Sequence, residues 1–268
     1  MNFTTIGNAI KLTGLGYLGN INHSSKLKKN GKVNHQYTYG LYLAPASTSG
    51  YNVCSHSTPE CRLGCLATSG RAAMELIGGI SRIENSRITK TKLFYENNKF
   101  FMAWLIAEIN AAKLKAEKNG YGFSVRLNCT SDIDWSNVMY NGQNIFQIFS
   151  DVQFYDYTKN PNKFFNIPKN YHLTLSYTGR NWNLCELVLK KGFNVAMVFN
   201  VKNENDIPAM YKGYDVINGD ITDFRVKDKS GVIVGLKWKH IANKQAENEV
   251  LNSVFVVNPA EIEIKKVA

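Results

Sequence analysis

Three cysteines crowd into one short polar segment of this sequence. Cys54, Cys61 and Cys65 follow one another with the spacing C-x6-C-x3-C. Thiolates are soft ligands that suit iron–sulfur clusters, zinc and copper. The segment around them is rich in Ser, Thr, Gly and Pro, which is not typical of a buried core. We therefore expect these thiols to hold a metal centre, and we consider the alternative of three small buried side chains less favoured.

The number of thiols indicates which metal they suit. A cubane iron–sulfur cluster normally takes four thiolates, so three leave one iron open to a substrate or cofactor. A structural zinc ion takes four protein ligands and would need one more, for which Cys129 is a better candidate than His56. The sequence therefore favours a 4Fe-4S cluster on the three cysteines and keeps zinc as the alternative.

Composition and charge limit the class of protein. The chain has 268 residues with five cysteines, an odd number that makes a poor disulfide framework. No apolar run approaches the roughly 20 residues of a membrane helix, and no secretory signal opens the sequence, so we expect no membrane partner and a cytoplasmic location. The net charge of +11 favours an anionic partner such as nucleic acid or a nucleotide, although a basic solvated surface explains it equally well.

Strand and helix patterns alternate along the chain. Helices are predicted over 65–80, 89–118, 144–149 and 184–191, with a charged turn over 26–32 and one turn of helix over 207–211. Strands are predicted over 39–43, 123–128, 152–157, 171–176, 193–199, 214–217, 231–237 and 254–257. Such alternation indicates an α/β fold with a parallel sheet covered by helices. We expect a single-domain (β/α) barrel or partial barrel over 37–258, with an N-terminal extension over 1–36 and a tail over 259–268; an open doubly wound sheet is the second choice.

Polar residues stand where the predicted strands end, which is where β/α barrels place their chemistry. Those expected to bind a cofactor are Asn128, Thr130, Ser131, Asp132, Asp156, Lys159 and Ser176. Carboxylates there can accept hydrogen bonds from an amine or a ribose hydroxyl. Those expected to hold a phosphate or a substrate carboxylate are Arg62, Arg71 and Arg126. For each of these residues alone, an ordinary salt-bridged loop position is the favoured interpretation, whereas the set together favours a polar pocket. The sequence assigns no catalytic residue.

Several of these segments resemble a phage family usually called gene-product-88-like. The run 41–54, the cysteine segment through Leu66, the segments 126–133 and 152–161, and the run 231–237 carry the resemblance. It extends over roughly residues 38–258. The resemblance implies a phage protein in the host-cell cytoplasm and leaves its activity open.

A strand followed by a three-cysteine loop in a partial barrel is also similar to the radical S-adenosylmethionine enzymes. Their usual spacing is C-x3-C-x2-C, and Gly64 stands where they carry an aromatic residue before the last cysteine. This resemblance implies that S-adenosylmethionine chelates the open iron. It also implies that residues 128–132, in place of the usual glycine-rich segment, bind the methionine amine and carboxylate.

Three hypotheses follow from the sequence. The first is an iron–sulfur enzyme of radical S-adenosylmethionine-like type that acts on a nucleic acid or a nucleotide-like substrate. The second is a nucleic-acid-binding protein with a structural zinc or iron–sulfur site, which the net charge and the 32 aromatic residues (14 Tyr, 14 Phe and 4 Trp) favour. The third is a phage protein that sequesters or alters a host small molecule. The oligomeric state stays open.

Overall fold

The computed structural model of the chain describes residues 1–65, 81–241 and 243–259. The chain packs into two compact units. The described residues of the first are 1–55, 81–156 and 166–172, and those of the second are 56–65, 157–165, 173–241 and 243–259.

The first unit is built on a mostly parallel sheet. The strands of this sheet are β1 (Gly19–Ile21), β2 (Gln36–Leu41), β3 (Gly122–Arg126) and β6 (Gln153–Thr158), which belongs to this unit up to Asp156. A separate hairpin is formed by β4 (Met139–Tyr140) and β5 (Gln143–Asn144). Strand β1 runs antiparallel to β2, whereas β2, β3 and β6 run parallel side by side. Tyr39, Val125 and Phe154 lie in register across the three parallel strands and are buried. Because residues in register point to the same face of a sheet, these three side chains together bury that face.

Helices cover this sheet. They are α1 (Ile6–Thr13), α2 (Ser25–Asn34), α4 (Arg82–Glu96), α5 (Asn98–Lys118) and α6 (Ile145–Ile148), while α3 (Pro59–Leu63) belongs to the second unit. Helix α6 was predicted and begins with a capping box between Asn144 and Gln147. Helix α5 buries Phe101, Trp104 and Leu105 completely, and it contacts β1, β2 and β3.

Two predictions in this unit are wrong. The charged turn over 26–32 lies inside helix α2, which Ser24 caps and whose Leu27 is fully buried. Packing of that leucine outweighs the weak helix propensity of the Asn and Gly residues in this segment. The single helix predicted over 89–118 is two helices, α4 and α5, because the chain leaves helical geometry at Asn97, whose side chain accepts a hydrogen bond from Phe100 N.

The second unit carries a second set of parallel strands. Its elements are β7 (Tyr171–Ser176), which belongs to this unit from Leu173, then α7 (Trp182–Lys190), β8 (Asn194–Phe199), β9 (Met210–Tyr211), β10 (Tyr214–Asn218), β11 (Ile233–Lys237), α8 (Lys244–Leu251) and β12 (Val256–Val257). Strands β7, β8, β11 and β10 are parallel neighbours in that order, and β12 pairs with the end of β8. The apolar core between α7 and these strands includes Leu175, Val195, Phe199 and Ile233.

The helical turn predicted over 207–211 is wrong. Residues Met210 and Tyr211 form β9, which pairs antiparallel with β10. Lys212 and Gly213 between them have φ values of 48° and 85°. Positive φ at both central residues is the signature of a two-residue hairpin turn. This turn pairs Met210 and Tyr211 with β10 as a strand, where the short apolar run had indicated a helix.

The α/β class and the mostly parallel strand pairing are confirmed. The helix predicted over 65–80 lies outside the described residues apart from Cys65. Closure into a barrel and the boundaries after residues 36 and 258 stay predictions.

A buried carboxylate ties the N-terminal segment to helix α5. Glu108 accepts hydrogen bonds from the Leu18 amide at 3.0 Å, the Gly19 amide at 3.0 Å and the Tyr39 hydroxyl at 2.6 Å. These donors and Glu108 itself are buried, so none of them can turn to water. The single carboxylate therefore anchors β1 and the centre of β2 to the helix above them.

Replacing Glu108 tests this anchor. In Glu108→Ala the three buried donors lose their acceptor, and we expect the free energy of unfolding to fall by at least about 3 kcal/mol. Urea denaturation followed by circular dichroism measures the change. Glu117→Ala, at an exposed position of the same helix, is the control and should cost less than about 1 kcal/mol. Equal losses in the two variants would contradict the anchoring role.

Candidate functional site

The loops that follow β2 and β3 are hydrogen-bonded to each other. The Asp132 amide donates to the Val53 carbonyl at 2.8 Å, and the Thr130 hydroxyl donates to the Leu43 carbonyl at 2.6 Å. Because β2 and β3 are parallel neighbours, both loops leave the same edge of the sheet. The first part of the cysteine segment therefore lies against residues 130–132, which the sequence predicts to bind a cofactor.

Cys54 lies at this junction. Its amide donates to Asn52 Oδ1 at 2.9 Å, and its Sγ lies 3.9 Å from the Thr130 carbonyl oxygen. The thiol is half-buried. The ring of Tyr95 stacks on that of Tyr51, with 4.5 Å between centroids, and the pKa of Tyr95 is raised by burial and then by the charge of Cys54. Cys54 is thus held in a defined position and remains accessible.

Cys61 and Cys65 belong to the second unit. The Thr58 hydroxyl accepts from the Cys61 amide at 3.2 Å and so caps the short helix α3, which Pro59 begins. Cys61 packs against an apolar cluster that includes Trp238. A Cβ atom on Gly64 would lie 3.0 Å from the Trp238 ring, closer than ordinary packing allows. This contact explains why glycine, and not an aromatic residue, precedes the last cysteine.

The three predicted ligands are half-buried thiols, a kind of donor that suits soft metals. None of the five cysteines, all of which lie in the described residues, forms a disulfide bond. Cys185 is packed in the apolar core of the second unit, and burial raises the pKa of its thiol to about 12. Among residues 1–65, 81–241 and 243–259, no three His, Cys, Asp or Glu side chains meet around a single-ion position. The metal centre on Cys54, Cys61 and Cys65 stays a prediction.

Asn128 and Asp156 form the centre of a buried hydrogen-bond network. Asp156 Oδ1 accepts from the Asn128 amide at 2.8 Å, and Oδ2 accepts from the Tyr171 hydroxyl at 3.1 Å. The side-chain oxygen of Asn128 accepts from the Ser131 hydroxyl at 2.9 Å and from the Trp135 indole at 3.2 Å. Asn128 and Asp156 are 3 % and 1 % exposed. The network fixes the whole loop from residue 128 to residue 135.

This network includes three of the predicted cofactor residues. The Asn128 side chain is also bonded to both backbone groups of Ile133, so its donors and acceptor are occupied within the protein. These hydrogen bonds fix the positions of Asn128, Ser131 and Asp156. Two residues of the loop contact the cysteine segment: the Thr130 carbonyl approaches the Cys54 thiol, and the amide of the half-buried Asp132 donates to the Val53 carbonyl. Direct contact of any of them with a cofactor stays a prediction.

A family model described as Gene product 88 matches residues 12–253. The chain belongs to this family. The match confirms the resemblance seen in the motifs, and it begins within α1 and not at residue 38. A search of curated proteins and a search of solved structures each found no match. No helix in the described part of this Gene product 88 chain is long and apolar enough to cross a bilayer.

The predicted basic residues of this Gene product 88 protein stand in different surroundings. Arg126 ends β3 with its side chain 13 % exposed and its Nε 3.8 Å from Asp156 Oδ1. Arg62 is exposed on α3 and donates to the Ser57 carbonyl at 3.4 Å. Arg71 lies outside the described residues. In the second unit, Lys159 is half-buried just after β6, and Ser176 ends β7 with its carbonyl bonded to the Asn181 side chain.

Sequence reasoning missed a basic and aromatic cluster in the first unit. Lys90 and Arg87 lie one turn apart on α4, over the rings of Tyr17 and Tyr42 respectively. His23 lies between the two rings, with its centroid 5.6 Å from each. The one feature of the sequence that could have indicated this cluster is the three-residue spacing of Arg87 and Lys90, which places both on one face of a helix. Their aromatic partners are distant in the chain and carry no local pattern.

Replacement of Asp156 tests the network. In Asp156→Asn the carboxylate that faces Arg126 and accepts from Asn128 and Tyr171 is lost without a change of shape, and we expect a destabilisation of about 2–4 kcal/mol. Chemical denaturation measures it. The control is Asp151→Asn, which removes the exposed ion pair with Lys113 just before β6 and should cost less than about 1 kcal/mol. A cost for Asp156→Asn no larger than for the control would contradict the network.

Lys90 makes stability depend on pH. Burial lowers the pKa of the Lys90 ammonium to about 8, with Arg87 adding to the shift and Glu108 opposing it. Below pH 8 the ammonium is charged in both the folded and the unfolded state, so the folded state bears the full cost of burying this charge. Between pH 8 and the usual value of 10.5 the folded state loses the proton first, so stability rises with pH.

Lys90→Met removes this dependence. We expect the variant to gain up to about 3 kcal/mol relative to the parent below pH 8, and the difference to shrink as the pH approaches 10.5. Denaturant titrations at several pH values measure the difference. Lys92→Met, at an exposed position of α4, should show a constant difference. A difference for Lys90→Met that does not change with pH would mean that the ammonium is not desolvated.

Proposed function

We propose that this chain is an iron–sulfur enzyme of radical S-adenosylmethionine-like type. Cys54, Cys61 and Cys65 would hold a 4Fe-4S cluster, and S-adenosylmethionine would bind beside it. The observation that carries the proposal is the junction of the Cys54 loop with residues 130–132, made by the hydrogen bonds of Asp132 and Thr130. That junction supports a cofactor site in which a cluster ligand and a polar loop lie at one edge of a parallel sheet.

The residues of the site fit an amino-acid-bearing cofactor. A cluster with an open iron supplies one-electron chemistry when bound. The Thr130 carbonyl and the Asp132 carboxylate are acceptors suited to the ammonium group of methionine. The Asn128–Asp156 network holds this loop rigid, so little conformational entropy is lost on binding. The task of these residues is to orient the ligand next to Cys54.

An anionic substrate agrees with the charge of the chain. The net charge is +11. Excess positive charge raises the encounter rate of polyanions and makes their binding sensitive to salt. We therefore propose a nucleic acid or a nucleotide-like molecule as the substrate.

Anaerobic reconstitution with iron and sulfide tests the cluster. We expect a brown protein with broad absorbance in the visible range and about four irons and four sulfides per chain. Cys54→Ser, Cys61→Ser and Cys65→Ser should each lose most of the bound iron, because a cluster already short of one thiolate tolerates no further loss. Cys185→Ala is the control and should keep its full iron content, since this thiol is buried and protonated.

S-adenosylmethionine should then change the electron paramagnetic resonance spectrum of the reduced cluster. A spectrum of the parent protein that changes only when S-adenosylmethionine is added would support binding of this molecule at the open iron. A colourless protein with one zinc ion per chain would overturn the proposal.

A nucleic-acid-binding protein with a structural zinc or iron–sulfur site is the second candidate, and the net charge favours it. It differs from the first in its response to chelation. A structural metal would contribute folding free energy, so its removal would unfold the chain and abolish salt-sensitive binding of DNA or RNA together. An enzyme whose cluster serves the reaction would remain folded when the cluster is removed.

A further inference from the structure

Three stacked aromatic rings lie where the parallel strands β2 and β3 begin. The Tyr121 ring stacks on that of His35, with 4.0 Å between centroids and 18° between planes, and on that of Tyr37, with 4.1 Å and 21°. His35 directly precedes β2, and Tyr121 directly precedes β3. The stack therefore lies at the edge of the sheet opposite to the one from which the Cys54 loop leaves.

The His35 ring is both accessible and held in place. His35 is exposed, whereas Tyr37 and Tyr121 are half-buried. The Nε2 atom of His35 lies 3.0 Å from the Gly120 carbonyl oxygen, a hydrogen bond that fixes the orientation of the ring. A further planar group can stack on a fixed ring with little loss of conformational entropy. Nucleobases are planar groups of this kind.

Exposed lysines extend from the ring stack along helix α2. Lys28 and Lys32 are four residues apart, and Lys32 and His35 are three residues apart, so these side chains lie along one side of the helix. All three are exposed. Helix α5 adds Lys118, which is also exposed and lies two residues before the Gly120 carbonyl that His35 contacts.

Acidic residues do not balance this charge. Residues 1–59 contain five lysines and no Asp or Glu. In the last turns of α5, Glu117 lies 4.0 Å from the Lys113 ammonium. The helix dipole favours a cation in the last turn of a helix, such as Lys32, but opposes one in the first turn, such as Lys28. Helix stability therefore does not explain the whole pattern, and the surface is complementary to a polyanion.

We propose that His35, Lys28, Lys32 and Lys118 form a binding surface for single-stranded nucleic acid. An unpaired base stacks on the His35 ring, and the lysines contact the neighbouring phosphates, which is how proteins commonly hold single strands. A duplex hides the faces of its bases and offers the ring nothing to stack on.

This surface rests on the nucleic-acid substrate proposed above and gives that substrate a location, but it needs no metal centre. Strand β2 has six residues between the ring stack and the start of the loop that carries Cys54. At about 3.3 Å per residue the two edges are about 20 Å apart. The surface thus holds the strand at a distance from the cysteine loop.

Fluorescence anisotropy of a labelled oligothymidylate of about 20 nucleotides, titrated with the full chain at low salt, tests the surface. We expect saturable binding in the parent. The double variant Lys28→Gln, Lys32→Gln should lose at least tenfold in affinity. The slope of log K against log salt should become shallower by about 1.4, because each lost phosphate contact removes about 0.7.

Replacement of His35 has a different signature. His35→Asn keeps a residue that tolerates the left-handed backbone at this position, where φ is 54°. We expect it to lose at least fivefold in affinity with an unchanged salt slope, since stacking and not charge is removed. The oligothymidylate annealed to its complement should bind the parent at least fivefold more weakly than the single strand does.

Two controls separate this surface from net charge and from the metal centre. The double variant Lys92→Gln, Lys99→Gln removes the same charge at exposed positions of α4 and α5 and should bind within twofold of the parent. Cys54→Ser should also bind within twofold of the parent even though it loses iron. Failure of the metal centre would therefore leave this surface intact, and failure of the surface would leave the iron content unchanged.

Lysine acetylation of the unaltered chain avoids reliance on the folding of variants. Bound oligothymidylate should slow acetylation of Lys32 at least fivefold, measured by mass spectrometry of peptides, and leave the rate at Lys99 unchanged. Absence of saturable binding, equal losses in the two double variants, duplex binding as tight as that of the single strand, or equal protection of Lys32 and Lys99 would overturn the proposal.

Discussion

The candidate site depends on one buried carboxylate, that of Asp156. One carboxylate oxygen accepts a hydrogen bond from the Asn128 amide, and the other accepts one from the Tyr171 hydroxyl. The positively charged Arg126 side chain lies beside it. A buried charge is stable only when its hydrogen bonds are complete, and here the donors come from the loop that follows β3 and from the start of β7. Buried residues in the interior of the first unit therefore hold in place the loop that reaches Cys54.

Rigidity at this point has a chemical purpose in the proposed enzyme. A ligand is held most tightly by groups whose positions do not change on binding. Asn128 cannot turn towards a ligand without breaking its bonds to Ser131, Ile133 and Trp135. In the proposed enzyme the ligand would therefore contact Thr130 and Asp132, whose polar atoms lie beside the cysteine loop.

Local patterns predicted most of the strands well, because each buried strand concentrates aromatic and aliphatic residues in a short segment. The strand over 171–176 has the bounds that the sequence predicts. Predictions failed where a single residue changed the course of the chain. Asn97 divides a long helical pattern by capping its second half, and the Lys212–Gly213 turn converts a short helical pattern into a hairpin. Such changes depend on one or two backbone angles, which hydrophobic periodicity does not encode.

The sequence by itself determined the α/β class, the family and the three thiols that could hold a metal, because each of these rests on residue types at short spacings. Only the tertiary structure decided what the polar side chains do. It placed Asn128 and Ser131 inside a closed network, set Gly64 against Trp238, and brought His23 to Arg87 and Lys90. The physical reason is that a side chain's function depends on its hydrogen-bond and charge partners, and in a parallel sheet those partners come from segments far apart in the chain.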